Sequence, residues 1–204
     1  MTTRLYTHPL SGHAHRVALM LSLLKLPFER IEVDVLKGAQ KAPEFLAKNP
    51  FGLIPVIEDG DVVLPESNAI LTYLALKYDA DRTWLPRDPE AAAQVQRWLS
   101  VATGPLAAGP SSARLVVLLG AKLDHERCKT IAHQLYRVVD AHLSSRRFLV
   151  GDGPTIADVA IYSYTVLAPE GGVGLEPYPN VRAWLARIEA LPGFLPMQRT
   201  KVAA

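Results

Sequence analysis

The stretch "HPLSGHAHRVALML", residues 8–21, places one hydroxyl and two imidazoles in the turn that leads into an apolar helix. Ser11 has two uses there. It can cap the helix by accepting a backbone N–H that a helix start leaves unpaired, or it can donate its O–H to an anion resting at the positive end of the helix dipole. His13 and His15 are candidate metal ligands, but a spacing of two on a helix points the rings apart and no third ligand is evident, so no metal is expected. In "NPFGLIPV", Pro55 begins a strand; because proline cannot donate to a sheet ladder, it marks a strand edge or a cis turn that exposes the backbone of Ile54 to an extended ligand. In "PESNAI", Glu66 and Ser67 stand at a helix start, the first suited to an ammonium and the second to a carboxylate, although plain capping uses the same residue types.

The elements that must position these residues fall into two parts. "RLYT", residues 4–7, reads as a strand, "HRVALMLSLLK" as a helix, and "FERIEVDV", residues 28–35, as a half-buried strand, which together make a β-α-β unit. A short helix is expected near residues 42–48, then a hairpin of "LIPVIED" and "VVLP" around the Gly60 turn. "ESNAILTYLALKY" closes this part as a helix with Ile70, Leu71, Tyr73, Leu74 and Leu76 facing inward. Strands alternating with helices imply an α/β sheet over residues 1–78. The polar, proline-bearing segment 79–89 reads as a linker. Residues 90–204 hold no convincing strand, and four stretches with helical periodicity predict an all-α second domain, its first helix interrupted by Gly104-Pro105 and Gly109-Pro110.

Composition narrows the function classes. Residues 1–204 carry 22 Lys and Arg against 20 Asp and Glu, for a net charge of +2, and the charges are interspersed; no nucleic-acid partner is expected. The apolar run "VALMLSLL" stops at Lys25, too short for a membrane span, and no cleavable leader precedes it, so a cytoplasmic protein is the expectation. The single cysteine, Cys128, excludes an internal disulfide and a Cys-based metal site.

In their order and frame, "SGHAHR", "NPFGLIPV" and "ESNAILTYL" resemble the catalytic turn, the cis-proline strand and the γ-glutamyl site of the soluble glutathione transferases. "TIADVAIYS" is similar to that family's buried N-capping box, with Thr155 as cap and Asp158 as its partner, a structural role. The resemblance spans the whole chain and implies a thioredoxin-like N-terminal domain joined to an all-helical C-terminal domain. Ser11 followed five residues later by Arg16 looks most like the serine-type members, theta- or zeta-like or their bacterial relatives.

The resemblance implies that glutathione is the co-substrate and that Ser11 is the catalytic residue. A free thiol ionises near pH 8.5 to 9, and the thiolate is the nucleophile, so a donated O–H and a helix N-terminus would favour the reactive form. Glutathione would be held by Ile54, Pro55, Glu66 and Ser67, with Gln40 or Lys41 near its glycyl carboxylate. A small hydrophobic electrophile would lie against Leu10, His13, Trp98, Ala102, Leu106, Ser111 and Tyr164. Arg16 is read as a structural partner or a ligand. Tyr6 faces away from Thr7 by strand alternation, and Thr7 stands where tyrosine-type transferases carry their tyrosine. Leu53 replaces a polar residue that many relatives direct at glutathione. A homodimer is implied, with Phe51 as its anchor unless that ring folds back onto its own domain. Glutathione-dependent isomerisation or peroxide reduction on the same site, and a non-catalytic glutathione-binding module, are the alternatives.

Overall fold

The computed structural model describes residues 2–200. Its first unit is built on β1 (Thr3–Thr7), α1 (Gly12–Leu23), β2 (Phe28–Glu32), α2 (Pro43–Leu46), β3 (Val56–Asp59), β4 (Val62–Pro65) and α3 (Ser67–Tyr78). The strands form one sheet in the order β2-β1-β3-β4. β2 runs parallel to β1, which requires the α1 crossover, while β3 pairs antiparallel with β1 and β4. Leu5 and Ile57, cross-strand partners, are fully buried. On the opposite side of the sheet Tyr6, Val33, Phe45 and Val56 form a core with Ile31, Val35 and Ile54 at its margin.

Local deviations from the sequence expectations have simple causes. β2 ends at Glu32, and Val35–Lys37 instead make a 3-10 turn capped by Asp34, whose carboxylate accepts from Lys37 N. The expected short helix is a single turn, Pro43–Leu46, because Pro43 starts it and only Phe45 anchors it. In α3 Ala75 takes an inner position and Leu76 is 51% exposed, contrary to the expectation for Leu76.

The helical unit contains α4 (Pro89–Thr103), α5 (Ser112–Leu119), α6 (His125–Leu143), α7 (Ile156–Val166) and α8 (Pro179–Glu189). The Gly/Pro interruption does not bend one long helix. α4 stops at Gly104, and a π-turn over Ala107–Ser111, with Pro110 inside it, leads straight into α5. A Cβ on Gly109 would lie 2.8 Å from Ala132 N, so a glycine is needed where this turn meets α6. Thr155 and Asp158 close a capping box at α7. The buried Asp158 also accepts from Leu149 N at 3.0 Å and Trp184 Nε1 at 2.8 Å. Cys128 is buried in α6.

The chain passes from one unit to the other between Asp81 and Arg82, inside the segment 79–89, and crosses back near its end. Residues up to Asp81 cluster together with Pro192–Gln198, and the helical unit holds Arg82–Leu191 and resumes at Arg199. The segment 192–198, expected in the helical domain, therefore packs on the first unit. Among the described residues no helix is long and apolar enough to cross a membrane.

Candidate active site

Strand directions explain how separate motifs meet. β1, β2 and β4 all point the same way, and β3 runs against them. The turn after β1, the segment after β2, the start of β3 and the start of α3 therefore lie along one edge of the sheet. The register makes this concrete, since Val56 pairs with both Tyr6 and Pro65. Ser11, Gln40, Lys41, Ile54, Pro55, Glu66 and Ser67 all belong to these four segments, and ligands of α/β sheets gather at such carboxyl ends of strands.

The turn carrying Ser11 is fixed from both sides. Ser11 N donates to His8 O at 2.9 Å, and Leu10 N donates to His8 Nδ1 at 3.3 Å. Ser11 is the N-cap of α1, with Oγ accepting from Ala14 N at 3.1 Å. That bond uses a lone pair and leaves the hydroxyl proton to be donated. His13, half-buried in the first turn, is kept neutral: burial first and the Arg16 guanidinium second lower its pKa from 6.5 to about 3. His15 turns to Leu195 O, 2.9 Å from its Nε2. The two rings thus have different surroundings, as their spacing predicts.

Arg16 ties the two helix starts together. Fully buried in α1, its Nη1 donates to Ser67 Oγ at 3.3 Å and to Asn68 Oδ1 at 2.9 Å. Ser67 Oγ accepts this bond and keeps its own proton to donate. Glu66 just before it is exposed and has φ +71° and ψ 110°, a conformation that L residues rarely adopt and that costs of order 1–3 kcal/mol. Residues held this way cluster at ligand-binding positions.

The loop before Pro55 is built by a residue that sequence reasoning passed over. Asn49, 1% exposed, donates from Nδ2 to Leu53 O at 2.7 Å and accepts from Phe51 N at 3.1 Å. The Asn-Pro dipeptide, a turn starter, was the available signal. The Ile54–Pro55 peptide bond is cis. Lys41 Nζ donates to Phe51 O at 3.0 Å, and a Cβ on Gly52 (φ +59°) would lie 2.8 Å from Gln40 O, so the 40–41 segment packs directly on this loop. Asn68 and His8 were likewise unassigned from sequence, because their roles depend on Arg16 and on the turn geometry.

Leu10 and His13 lie in the Ser11 turn. Within the helical unit Trp98, Ala102, Leu106, Ser111 and Tyr164 are all buried. The Trp98 ring meets His142 edge-on at 5.0 Å, with the Arg97 guanidinium over it at 5.1 Å. Tyr6 is committed elsewhere, donating to Glu58 Oε1 at 3.0 Å. Phe51 does not fold back onto its domain; it is 74% exposed. A cavity of about 230 Å³ opens on the far flank of α1, lined by Ser11 and His8 and by Arg30, Glu32 and Pro196–Gln198, but by none of Ile54, Pro55, Glu66 and Ser67.

Comparison with known proteins identifies the family. A profile described as "Glutathione S-transferase, N-terminal domain" matches residues 1–76, and one described as "Glutathione S-transferase, C-terminal domain" matches residues 120–192. The chain is similar to glutathione S-transferase 3 of Zea mays, 39% identical over 201 residues that cover 94% of this chain and 90% of the relative. Its fold is similar to that of a possible glutathione S-transferase from Rhodopseudomonas palustris, with a TM-score of 0.90, 33% identity and coverage of 98% of this chain and 100% of that one. A glutathione transferase homolog from Drosophila mojavensis, solved with bound glutathione, superposes with a TM-score of 0.85 at 30% identity, covering 94% and 89% of the two chains. With both halves matched and a relative of this identity spanning nearly the full length, the chain belongs to the glutathione S-transferase family.

Proposed function

We propose that the protein activates glutathione as a thiolate through the Ser11 hydroxyl and directs it at a small apolar electrophile. The observation that carries this reading is Ser11 at the N-cap of a twelve-residue helix, its Oγ already accepting from Ala14 N. A sulfur anion placed there receives the remaining O–H and the positive end of the dipole together. Lowering a thiol pKa by about two units requires about 2.7 kcal/mol, which a charge-assisted hydrogen bond and a helix N-terminus supply between them. The protein then needs no nucleophile of its own.

The rest of glutathione fits the same sheet edge. The Drosophila mojavensis homolog holds glutathione, and the corresponding contacts here would be made by few residues. The Ile54 backbone, turned by the cis Pro55, would pair with the cysteinyl segment. Glu66 would receive the γ-glutamyl ammonium, its unusual φ holding the carboxylate out from the helix start. Ser67, braced by Arg16, would donate to the γ-glutamyl carboxylate at the α3 N-terminus. Gln40 or Lys41 would meet the glycyl carboxylate. Leu53 is 55% exposed and brings no polar contact. Leu10 and His13, in the turn that carries Ser11, are the proposed walls of the electrophile site on this unit, and a His13 held neutral suits an apolar wall. Positioning both substrates supplies much of the remaining rate.

Calorimetric titration with glutathione, together with turnover of a chloronitrobenzene, tests the reading. Ser11→Ala should bind glutathione within a few-fold of the parent and lose turnover by about tenfold or more, equivalent to about 1.4 kcal/mol in transition-state stabilisation. Undiminished turnover would reduce Ser11 to a cap.

A further inference from the structure

The segment Pro192–Gln198 runs along α1 against the helix direction, from its last turn toward Ser11. Near its beginning Gly193 O accepts from Ser22 Oγ at 2.7 Å, in the final turn of α1. Gly193 has φ +84°, and a Cβ there would lie 2.8 Å from Ser22 O, so only glycine lets the segment approach this closely. Two residues on, Leu195 O is bonded to His15 Nε2 at 2.9 Å, in the first turn of α1. Beyond it Pro196, Met197 and Gln198 line the cavity that Ser11, Thr7 and His8 also line. The strap is therefore pinned at both ends of α1, about two helical turns apart.

We propose that this strap positions Ser11, with His15 as the positioning residue at the catalytic end of α1. His15 links the two directly: its N–H donates to Ser11 O at 2.9 Å, closing the first turn behind the cap, and its ring holds the strap. The ring is buried and neutral, so Nε2 carries a proton to donate to the Leu195 carbonyl. A helix behaves as a rod, and its N-terminus is displaced when the rod slides or tilts. The sheet restrains α1 on one side, and the strap restrains it on another. A hydroxyl-to-sulfur bond weakens steeply with distance and angle, so a small displacement of α1 costs thiolate before it costs folding.

This inference rests on Ser11 as the thiolate donor, and the experiment separates the two. The thiol pKa of bound glutathione is read from thiolate absorbance against pH, with the melting temperature measured alongside, for the parent and for Ser11→Ala, His15→Ala, His15→Gln and the Ser11→Ala/His15→Ala pair. His15→Ala should raise the thiol pKa by about half a unit, about a threefold loss of thiolate at a pH well below the pKa. His15→Gln, whose amide can donate to Leu195 O, should restore most of it. In the Ser11→Ala background His15→Ala should add nothing further. Ser22→Ala, which frees the other end of the strap, should shift the pKa in the same direction by less, and it gives the answer if His15→Ala does not fold. A lowered melting temperature with an unchanged thiol pKa in both His15→Ala and Ser22→Ala would overturn the strap's role while leaving the serine reading intact. An unchanged thiol pKa in Ser11→Ala would overturn both.

Discussion

Ser11 serves two purposes with one side chain, and they do not compete. The oxygen lone pair caps α1 through Ala14 N, and the proton on the same oxygen is the proposed donor to sulfur. Substitution to alanine therefore costs stability of about 1 kcal/mol through the lost cap and turnover through the lost donor, two effects that melting and kinetics measure apart. Glu66 and Ser67 follow a similar logic. Glu66→Ala should weaken calorimetric glutathione affinity by about 1–3 kcal/mol with little change in stability, because the carboxylate is exposed. Ser67→Ala should weaken affinity comparably but also lower stability, since it removes an acceptor from the buried Arg16. Equal melting temperatures for the two variants would contradict the brace. At this scale the sequence was most legible where a motif is local: the Ser11 cap and the Thr155/Asp158 box lie within a few residues of their partners. Arg16 was left open between ligand and structural partner because Ser67 and Asn68 lie more than fifty residues away.

Among elements, α7 rests on one carboxylate. Asp158 satisfies Thr155 N at 2.8 Å, Leu149 N and Trp184 Nε1, all in a buried setting. Burial pushes its pKa up, while these same bonds pull it back. Asp158→Ala would strand several buried N–H groups, each costing about 1–3 kcal/mol, so a loss of ~3–5 kcal/mol in denaturant unfolding is expected. Asp158→Asn, which keeps an acceptor oxygen, should lose distinctly less; equal losses would show that the charge, not the bonding, matters. Element types were legible from periodicity, because amphipathic helices such as α6 and α8 declare one face. The π-turn over Ala107–Ser111 was not, since Gly and Pro announce a break without saying that the helix resumes with a wider turn. Leu76 was misplaced for a related reason: α3 is apolar nearly all round, so periodicity alone did not choose its buried stripe.

For the whole molecule, two properties follow from placement. Phe51 stands 74% exposed at the tip of the Asn49-braced loop, which supports the proposal that it anchors a homodimer. Phe51→Ser should shift sedimentation toward monomer and weaken glutathione binding with it, because the same loop runs on to Ile54 and Pro55; a variant that stays dimeric with normal affinity would place the anchor elsewhere. Stability should also depend on pH through His15. Burial, the leading cause, lowers its pKa from 6.5 to about 4 against the opposing pull of the Leu195 carbonyl. Between those values the unfolded chain binds a proton that the folded protein refuses, so stability is full above about pH 6.5 and falls as pH drops toward 4, by up to ~3 kcal/mol. His15→Gln should flatten that part of the curve in denaturant titrations at stepped pH. The strap that buries His15 was not foreseen from sequence: residues 192–198 carry no repeat or periodicity, and their return to the first unit depends on contacts with α1.

The central claim is that the Ser11 hydroxyl stabilises the thiolate of bound glutathione. It is tested most directly by titrating thiolate absorbance against pH in the binary complexes of the parent and of Ser11→Ala, at saturating glutathione. The parent should show a thiol pKa about two units below that of the free thiol, near 8.5 to 9, and Ser11→Ala should return most of the way to the free value. Superimposable titration curves for the two proteins would contradict it.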